Sequence, residues 1–582
     1  MTAIRAAGAP APPRLSSLAS TLASLWSPWS LSALLAGGLD LAVTVVFLAY
    51  GRSLSVGFLG DDFNILEQLL SDGPFSRWAS HGQPFFRPVV VWSYFLELKL
   101  WGLDPMPFHL VNLLMHLTAG VGVALLAQQL TARFTTWRRR QRWEVGGAAG
   151  LLFLSHPSHV EPVVWVSCLG DLQAAVFSLG CLLCHGRWVA AREGIGEGAA
   201  GGGPADGAAA GGLRRWRIGS VVALALALGS KEAAVTVPLV VLVLEGMARR
   251  GGFKERLTGS LKAAAPLLAM LPVYLGLRTW VLGTLIGGYG TETHLRMDPV
   301  RALDSLFADL SRSLIPMISG RQLPAGAVAV ILGLAAVWGL RRGAKAGLVG
   351  LGPRRGAFLP GLCLVLFAIA ALPTLGMRIS QDTTSAERLL YLPSIFALIS
   401  AAVFLRMAVP EPRYRRWVLA VVCLAFTVQT ARAMEPWRQA GKAVATILES
   451  LRDEDFEGRT YLVGVPDSIR GAYVLRNGLG SALRLQGQNS GRFVLVHRLM
   501  LPRADCAFAL GWRKKTAVLA MKDRRCRARF RYRPEMRDVV QEVRSGAFRT
   551  HFRLPELSPR DRILLYSAEA VKAVPSAAGR SS

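Results

Sequence analysis

Long apolar runs alternate with short arginine-rich loops through residues 31–433, and no other feature constrains the fold as tightly. About 20 apolar residues suffice for a helix to cross a bilayer. Such runs, some of them short, cover 31–50, 107–130, 143–155, 163–184, 218–229, 235–247, 262–282, 323–340, 356–373, 389–405 and 417–433. Every second connection is basic. One carries Arg133, Arg138, Arg139, Arg140 and Arg142; the next runs from Arg187 to Arg217, with Gly/Ala low complexity at 194–212 that reads as flexible. Later ones carry Arg249, Arg250, Lys254 and Arg256, then Arg341, Arg342, Lys345, Arg354 and Arg355, then Arg413, Arg415 and Arg416. Short Lys/Arg-rich loops stay in the cytoplasm. The expectation is an α-helical polytopic membrane protein with about eleven transmembrane helices, the run 31–50 acting as a retained anchor. Residues 1–30 form a cytoplasmic tail, 31–433 the membrane domain, and 434–582 a small extracytoplasmic α/β domain.

Composition agrees. The chain is 52% hydrophobic with a mean hydropathy of +0.35. Its net charge of +29 is carried by those loops and by a basic C-terminal region with Arg513, Lys514, Lys515, Arg524, Arg525, Arg527, Arg529, Arg531 and Arg533. That region lies outside the cytoplasm on this reading, so nucleic acid is not its partner; membrane lipid or an acidic glycan is. Ala, Gly and Arg dominate, as in bacterial proteins from GC-rich genomes, which points to a bacterial inner membrane. Cys181 and Cys184 sit in an apolar run with no second pair and read as small hydrophobes. Cys506 and Cys526 are placed to pair in an oxidising compartment.

Within 434–582, residues 461–465, 492–497, 507–510 and 516–521 read as strands, Pro466-Asp467 and Asn477-Gly478 as turns, and 451–455 and 567–574 as helices. In the loop 283–321, residues 300–314 form an amphipathic stretch. Residues 89–101, apolar but short and carrying Glu97 and Lys99, read as an interfacial helix in the first outer loop, 51–106.

Polar clusters interrupt the apolar pattern on the outer side. They are Asp61-Asp62, then His156, His159 and Glu161, then Lys231-Glu232, then Glu387-Arg388 with Tyr391. Each has a plain reading: Asp61 as a helix N-cap with Asp62 in the first turn, the histidines as loop hydrogen-bonders, the rest as structural ion pairs. Ionisable groups beside membrane helices are also the default functional candidates. Outside a bacterial cytoplasm a group transfer needs a donor activated on lipid, cations for its phosphate, and a carboxylate to deprotonate an acceptor hydroxyl. Asp61 suits the base. Asp62 either orients the acceptor or holds a divalent metal ion. Arg388, Lys231 and Arg87 are the phosphate-binding cations, and His156, His159, Glu161, Glu232, Glu387 and Tyr391 support the loops around them. Trp78, Phe85, Phe86 and Trp165 read as membrane-interface anchors or sugar platforms.

The order Asp61-Asp62, Phe86-Arg87-Pro88, Phe108-His109-Leu110-Val111-Asn112-Leu113-Leu114-Met115-His116, His156-Pro157-Ser158-His159-Val160-Glu161, Ser230-Lys231-Glu232 and Glu387-Arg388-Leu389-Leu390-Tyr391-Leu392-Pro393 resembles the GT-C glycosyltransferase superfamily. It is most similar to the protein O-mannosyltransferase-like branch that includes the transmembrane and tetratricopeptide-repeat mannosyltransferases. The resemblance covers roughly 30–430 and implies a membrane enzyme that takes sugar from a polyprenyl- or dolichyl-phosphate, with inversion at the anomeric carbon. It also implies Asp61 as catalytic base and Arg388 as a phosphate contact. Residues 434–582 show no 34-residue repeat, which leaves the sugar and the acceptor, protein or cell-surface glycan or lipid, open. A transporter or flippase of a lipid-linked sugar is the alternative; it calls for internal repeats and broken helices near the midplane. A scaffold binding acidic polymer would not need the Asp pair.

Overall fold

A computed structural model describes residues 31–79, 85–193, 207–284, 298–316, 355–377, 379–380, 383–452, 458–496, 498–513, 516–523, 526, 529–531, 541–545 and 549–575. The expected span 323–340, the tail 1–30, His81, Tyr289, His294, Lys514, Lys515, Arg524, Arg525, Arg527 and Arg533 lie outside the described residues.

The chain is mainly helical up to residue 450. The helices are α1 (Leu31–Tyr50), α2 (Asp61–Ala79), α3 (Pro88–Trp101), α4 (Pro105–Phe134), α5 (Arg139–Ser155), α6 (Val160–Val164), α7 (Leu169–Arg192) and α8 (Gly207–Ser230). They continue as α9 (Val237–Ala248), α10 (Phe253–Leu282), α11 (Pro299–Leu314), α12 (Arg355–Ala371), α13 (Tyr391–Ala408), α14 (Pro412–Ala433) and α15 (Glu435–Ser450). Among the described residues, five helical stretches are long and apolar enough to cross a membrane, and Phe358–Thr374 is a shorter apolar one. The protein is a multi-pass membrane protein; the described residues, which omit the expected span 323–340, show five of the about eleven spans read from the sequence.

Two ion-pair knots, the first centred on a fully buried carboxylate and the second on a partly exposed one, tie one end of the bundle. Glu245 on α9, with its side chain fully buried, meets Arg133 of α4 at 2.9 Å, Arg249 at 3.1 Å and His185 of α7 at 3.2 Å. Glu144 on α5 meets Arg415 of α14 at 2.6 Å and Arg406 of α13 at 3.2 Å. The basic loops flanking these helices thus share one end. By the direction of the same helices, Glu161, Asp171, Glu232 and Arg388 share the opposite end.

Several expectations are corrected. The run read as a span from 163 becomes a helix only at Leu169; residues 157–168 are broken into 3-10 turns and the five-residue α6, with Pro157 and Pro162 interrupting the helical hydrogen bonds. The flexible loop up to Arg217 is helical from Gly207, where Ala, Leu and Arg outweigh the glycines. Residues 435–450, which the sequence reading left without an element, form α15; Trp437, Ala440, Val444, Ile447 and Leu448 line its buried face. The expected interfacial helix and the amphipathic stretch are α3 and α11.

The C-terminal region holds twelve strands among the described residues: β1 (Thr460–Val463), β2 (Val465–Ile469), β3 (Ala472–Tyr473), β4 (Phe493–Leu495), β5 (Arg498–Leu501), β6 (Phe508–Arg513), β7 (Thr516–Met521), β8 (Arg529–Arg531), β9 (Gln541–Ser545), β10 (Arg549–Arg553), β11 (Arg562–Ser567) and β12 (Ala570–Val574). They form three four-stranded sheets, β12-β11-β1-β4, β6-β7-β10-β9 and β3-β2-β5-β8. Pro466-Asp467 is no turn. Both lie in β2, where the register against β5 shifts between Pro466 and Ser468, an irregularity that accommodates a residue without an N–H. Residues 567–574 are no helix but the turn and return strand of a hairpin, reversed at Ala568 and Glu569 with φ of 51° and 64°. No Gly or Asn marks that turn, so the sequence hid it. Asn477-Gly478 is a turn as read, followed by the short helix α16 (Leu479–Leu485). Cys506 and Cys526 form a disulfide across Cα atoms 5.7 Å apart.

Candidate functional site

Asp61 and Asp62 open α2 as its first two residues, so Asp61 is not the N-cap but already helical. The chain enters through a sharp turn at Gly60, whose φ of +50° is open to glycine at little cost. That turn is held from the C-terminal region: Gly60 N–H donates to Val474 O at 2.7 Å. Gly478 packs so closely on it that a Cβ there would stand 1.9 Å from Gly60 O. Further along α2, Ser481 donates to Asn64 at 2.7 Å and Arg484 to Glu67 at 3.0 Å.

The two aspartates part at once in environment. Asp62 is buried. One carboxylate oxygen accepts the Leu59 N–H at 2.8 Å; the other accepts the Ser167 N–H at 2.8 Å and the Ser167 hydroxyl. Burial pushes its carboxyl up to about 7, against the pull of those donors, with the neighbouring Asp61 charge adding to the rise. Asp61 is half-buried, and Asn477 reaches it at 3.5 Å.

Each expected cation has a carboxylate beside it. Arg87 forks onto Glu232 at 2.7 and 3.1 Å. Burial pushes the Glu232 carboxyl up, but the Arg87 guanidinium more than offsets this and holds it at about 2. Lys231 pairs with Asp171 of α7, which the sequence reading did not single out. Arg388 pairs with Glu161 through its guanidinium and, at 2.9 Å, through its backbone N–H. Glu387 pairs with Arg312 of α11 at 2.9 Å. Arg312 also donates to Ser380 O and Thr383 O, so an arginine from the amphipathic helix shapes the loop before Arg388. Asp171, Arg388, Glu161 and Lys231 all lie within electrostatic reach of Cys168, the residue after the Ser167 that holds Asp62. The structure thus gathers Asp62, Glu161, Arg388 and Lys231 around residues 161–171.

His156, His159 and Tyr391 are buried in the core, Tyr391 still within electrostatic reach of Asp171. His159 bridges Phe153 O and Ser394 Oγ, both at 2.9 Å, and Tyr391 meets His116 at 2.8 Å. All three are fully buried and support the loop from beneath. Among the described residues no three His, Cys, Asp or Glu side chains gather as a metal-holding group. Trp165 is neither an interface anchor nor an open platform. It is 4% exposed, donates to Leu59 O at 3.2 Å, and packs on Tyr473 at 4.5 Å between ring centres. Asp171, Arg312 and Tyr473 escaped the sequence reading, which took Asn477 only as a turn residue. Asp171 carried a signal, a carboxylate near the start of an apolar run; Tyr473 carried none, and the turn signal of Asn477 said nothing of Asp61.

No family model matches the chain. In sequence it is 31% identical to the protein O-mannosyl-transferase Tmtc2 of Drosophila melanogaster over 223 residues, 35% of this chain and 21% of that one. It is 30% identical to Tmtc1 of the same fly over 172 residues, 27% of this chain and 19% of that one. To human TMTC2 it is 29% identical over 150 residues, 23% of this chain and 17% of that one. The chain spans about a fifth of the length of these relatives. Among solved structures, it is similar to the apo oligosaccharyltransferase of Archaeoglobus fulgidus, with a TM-score of 0.42 and 12% identity over 75% of this chain and 63% of that one. It is also similar to ArnT from Cupriavidus metallidurans bound to undecaprenyl phosphate, with a TM-score of 0.31 and 13% identity over 90% and 98%. In sequence, what this chain resembles is the protein O-mannosyl-transferases, the group its motifs pointed to.

Proposed function

We propose that this chain is a membrane glycosyltransferase that moves a sugar from a polyprenyl-phosphate carrier to an acceptor hydroxyl at the outer face of a bacterial inner membrane. Asp61 takes the proton of the acceptor hydroxyl; the acceptor oxygen bonds to the anomeric carbon, and the bond from that carbon to the phosphate oxygen breaks. The carrier departs as polyprenyl phosphate, its charge met by Arg388, Lys231 and Arg87. The observation that carries this reading is the division of labour between the two aspartates. Asp62 spends its oxygens on Leu59 and Ser167 and fixes the turn, which leaves Asp61, the residue before it, half-open with Asn477 at 3.5 Å. The relatives' names, protein O-mannosyl-transferases, support the reaction class. The disulfide between Cys506 and Cys526 favours an oxidising side for the C-terminal domain, 434–582, and with the odd span count read from the sequence this goes with a cytoplasmic N-terminus. The acceptor is a protein or a cell-surface glycan or lipid.

The test uses the full chain in lipid with a panel of labelled polyprenyl-phosphate sugars and a membrane extract as acceptor source. Asp61→Asn abolishes release of sugar from the donor while the protein stays folded. Turnover unchanged in both Asp61→Asn and Asp62→Asn would remove the pair from the chemistry and with it this reading.

A further inference from the structure

The cations expected to meet the donor phosphate are each already matched by a carboxylate. An anion arriving there competes with a partner in place. One arginine beside the aspartate turn differs. Arg476 lies in the C-terminal region, between Tyr473 and the Asn477 that reaches Asp61. Among the described residues no carboxylate pairs with it. Its Nε is buried and has no hydrogen-bond partner among those residues. Its guanidinium stands 4.4 Å from the centre of the Tyr473 ring, and that ring packs on Trp165, whose far neighbour is the Arg388 guanidinium at 5.4 Å. Two guanidiniums therefore bracket one aromatic pair, one of them ion-paired and the other not.

The backbone adds a second, independent observation. Arg476 has φ of +32°, outside the ordinary regions for a residue with a branched or long side chain. Nothing in the turn needs an arginine: Val474 O and Gly478 supply the contacts to Gly60. The Arg476 Cβ stands 3.6 Å from where a Gly60 Cβ would be, so a positive-φ residue carrying a cation that no carboxylate among the described residues pairs with adjoins the polar turn, and such strain is found where it serves a ligand. A bare guanidinium with a buried, unused donor fits an anionic oxygen, and a phosphate takes its planar fork best.

We propose that Arg476 binds the phosphate of the lipid-linked donor, so that the C-terminal domain contributes a substrate-binding residue to the membrane site. This rests on the donor reading given above. It makes the domain part of the site rather than an appendage, and it gives the phosphate a cation that need not first be released from a carboxylate.

The experiment measures binding of polyprenyl phosphate and of the matching neutral polyprenol to the full chain in lipid. Arg476→Asn is the main variant, because asparagine tolerates a left-handed backbone and carries no charge. Arg476→Gly gives the same reading should the first fail to fold, and Arg476→Lys keeps the charge. We expect Arg476→Asn to weaken polyprenyl phosphate binding about tenfold to a hundredfold, to leave polyprenol binding unchanged, and Arg476→Lys to recover part of the loss. Equal weakening for phosphate and alcohol would reduce Arg476 to packing on Tyr473 and overturn the proposal. So would unchanged phosphate binding with a raised KM for the acceptor, which would put the anion on the acceptor. Wild-type protein that binds polyprenyl phosphate no better than polyprenol would overturn the donor reading and this proposal together, whereas wild-type preference that survives Arg476→Asn overturns this proposal alone.

Discussion

Adjacent aspartates with one sequence signature do different physical work. Asp62 is buried against backbone donors, and its folded-state carboxyl sits near 7 against an ordinary value near 3.8. A raised value means that the folded chain keeps a proton the unfolded chain has already lost. The stabilisation is full below about pH 4 and is lost as pH rises through about 7. The span of about three units corresponds to roughly 4 kcal/mol at its limit. Thermal unfolding between pH 5 and 8 is expected to show stability falling with pH in the wild type and a flatter profile in Asp62→Asn. That variant should also be about 1–3 kcal/mol less stable at the acidic end, because an amide offers one oxygen where donors approach from two sides. A profile equally steep in both proteins would show that another group carries the pH dependence. The sequence marked both residues as acidic and out of place. It had no means to say which would be buried, since Ser167 and Leu59 reach Asp62 only in the folded chain.

At the scale of elements, the turn before α2 and the segment from Tyr473 to α16 are one interlocked unit although some 400 positions separate them in sequence. Gly478→Ala would drive a methyl into Gly60 O, so a loss of about 1–3 kcal/mol in stability is expected, with a fall in activity beyond what unfolding explains. Gly480→Ala is the control, because its nearest neighbour is the flexible end of Arg484 at 3.4 Å. Comparable melting temperatures and activities for the two variants would show that the close approach does not matter. The hairpin of β11 and β12 and the strand through Pro466 belong to this scale too. Both were misread because a two-residue turn without glycine and a proline inside a strand look, locally, like something else.

Across the whole molecule, charge is sorted between two ends. One end is tied by Glu245 and Glu144 to arginines of the basic loops, and the other gathers the aspartate pair and its cations. Glu245→Gln leaves two guanidiniums and His185 without their buried carboxylate, and is expected to cost about 3–5 kcal/mol. Activity per folded molecule should persist, since the knot is far from the candidate site. Loss of activity at unchanged stability would contradict that separation. This sorting was legible beforehand, because an apolar run must be helical in lipid and an arginine-rich loop keeps to one side. Both are local properties of the chain, and they fixed the membrane class, the helix order and the candidate carboxylates. The tertiary structure alone decided which carboxylate stays half-open, that the expected cations arrive paired, that Asn477 reaches Asp61, and that Tyr473 and Arg476 adjoin Gly60. Burial and pairing depend on what the rest of the chain brings to a residue, and no short stretch of sequence contains that.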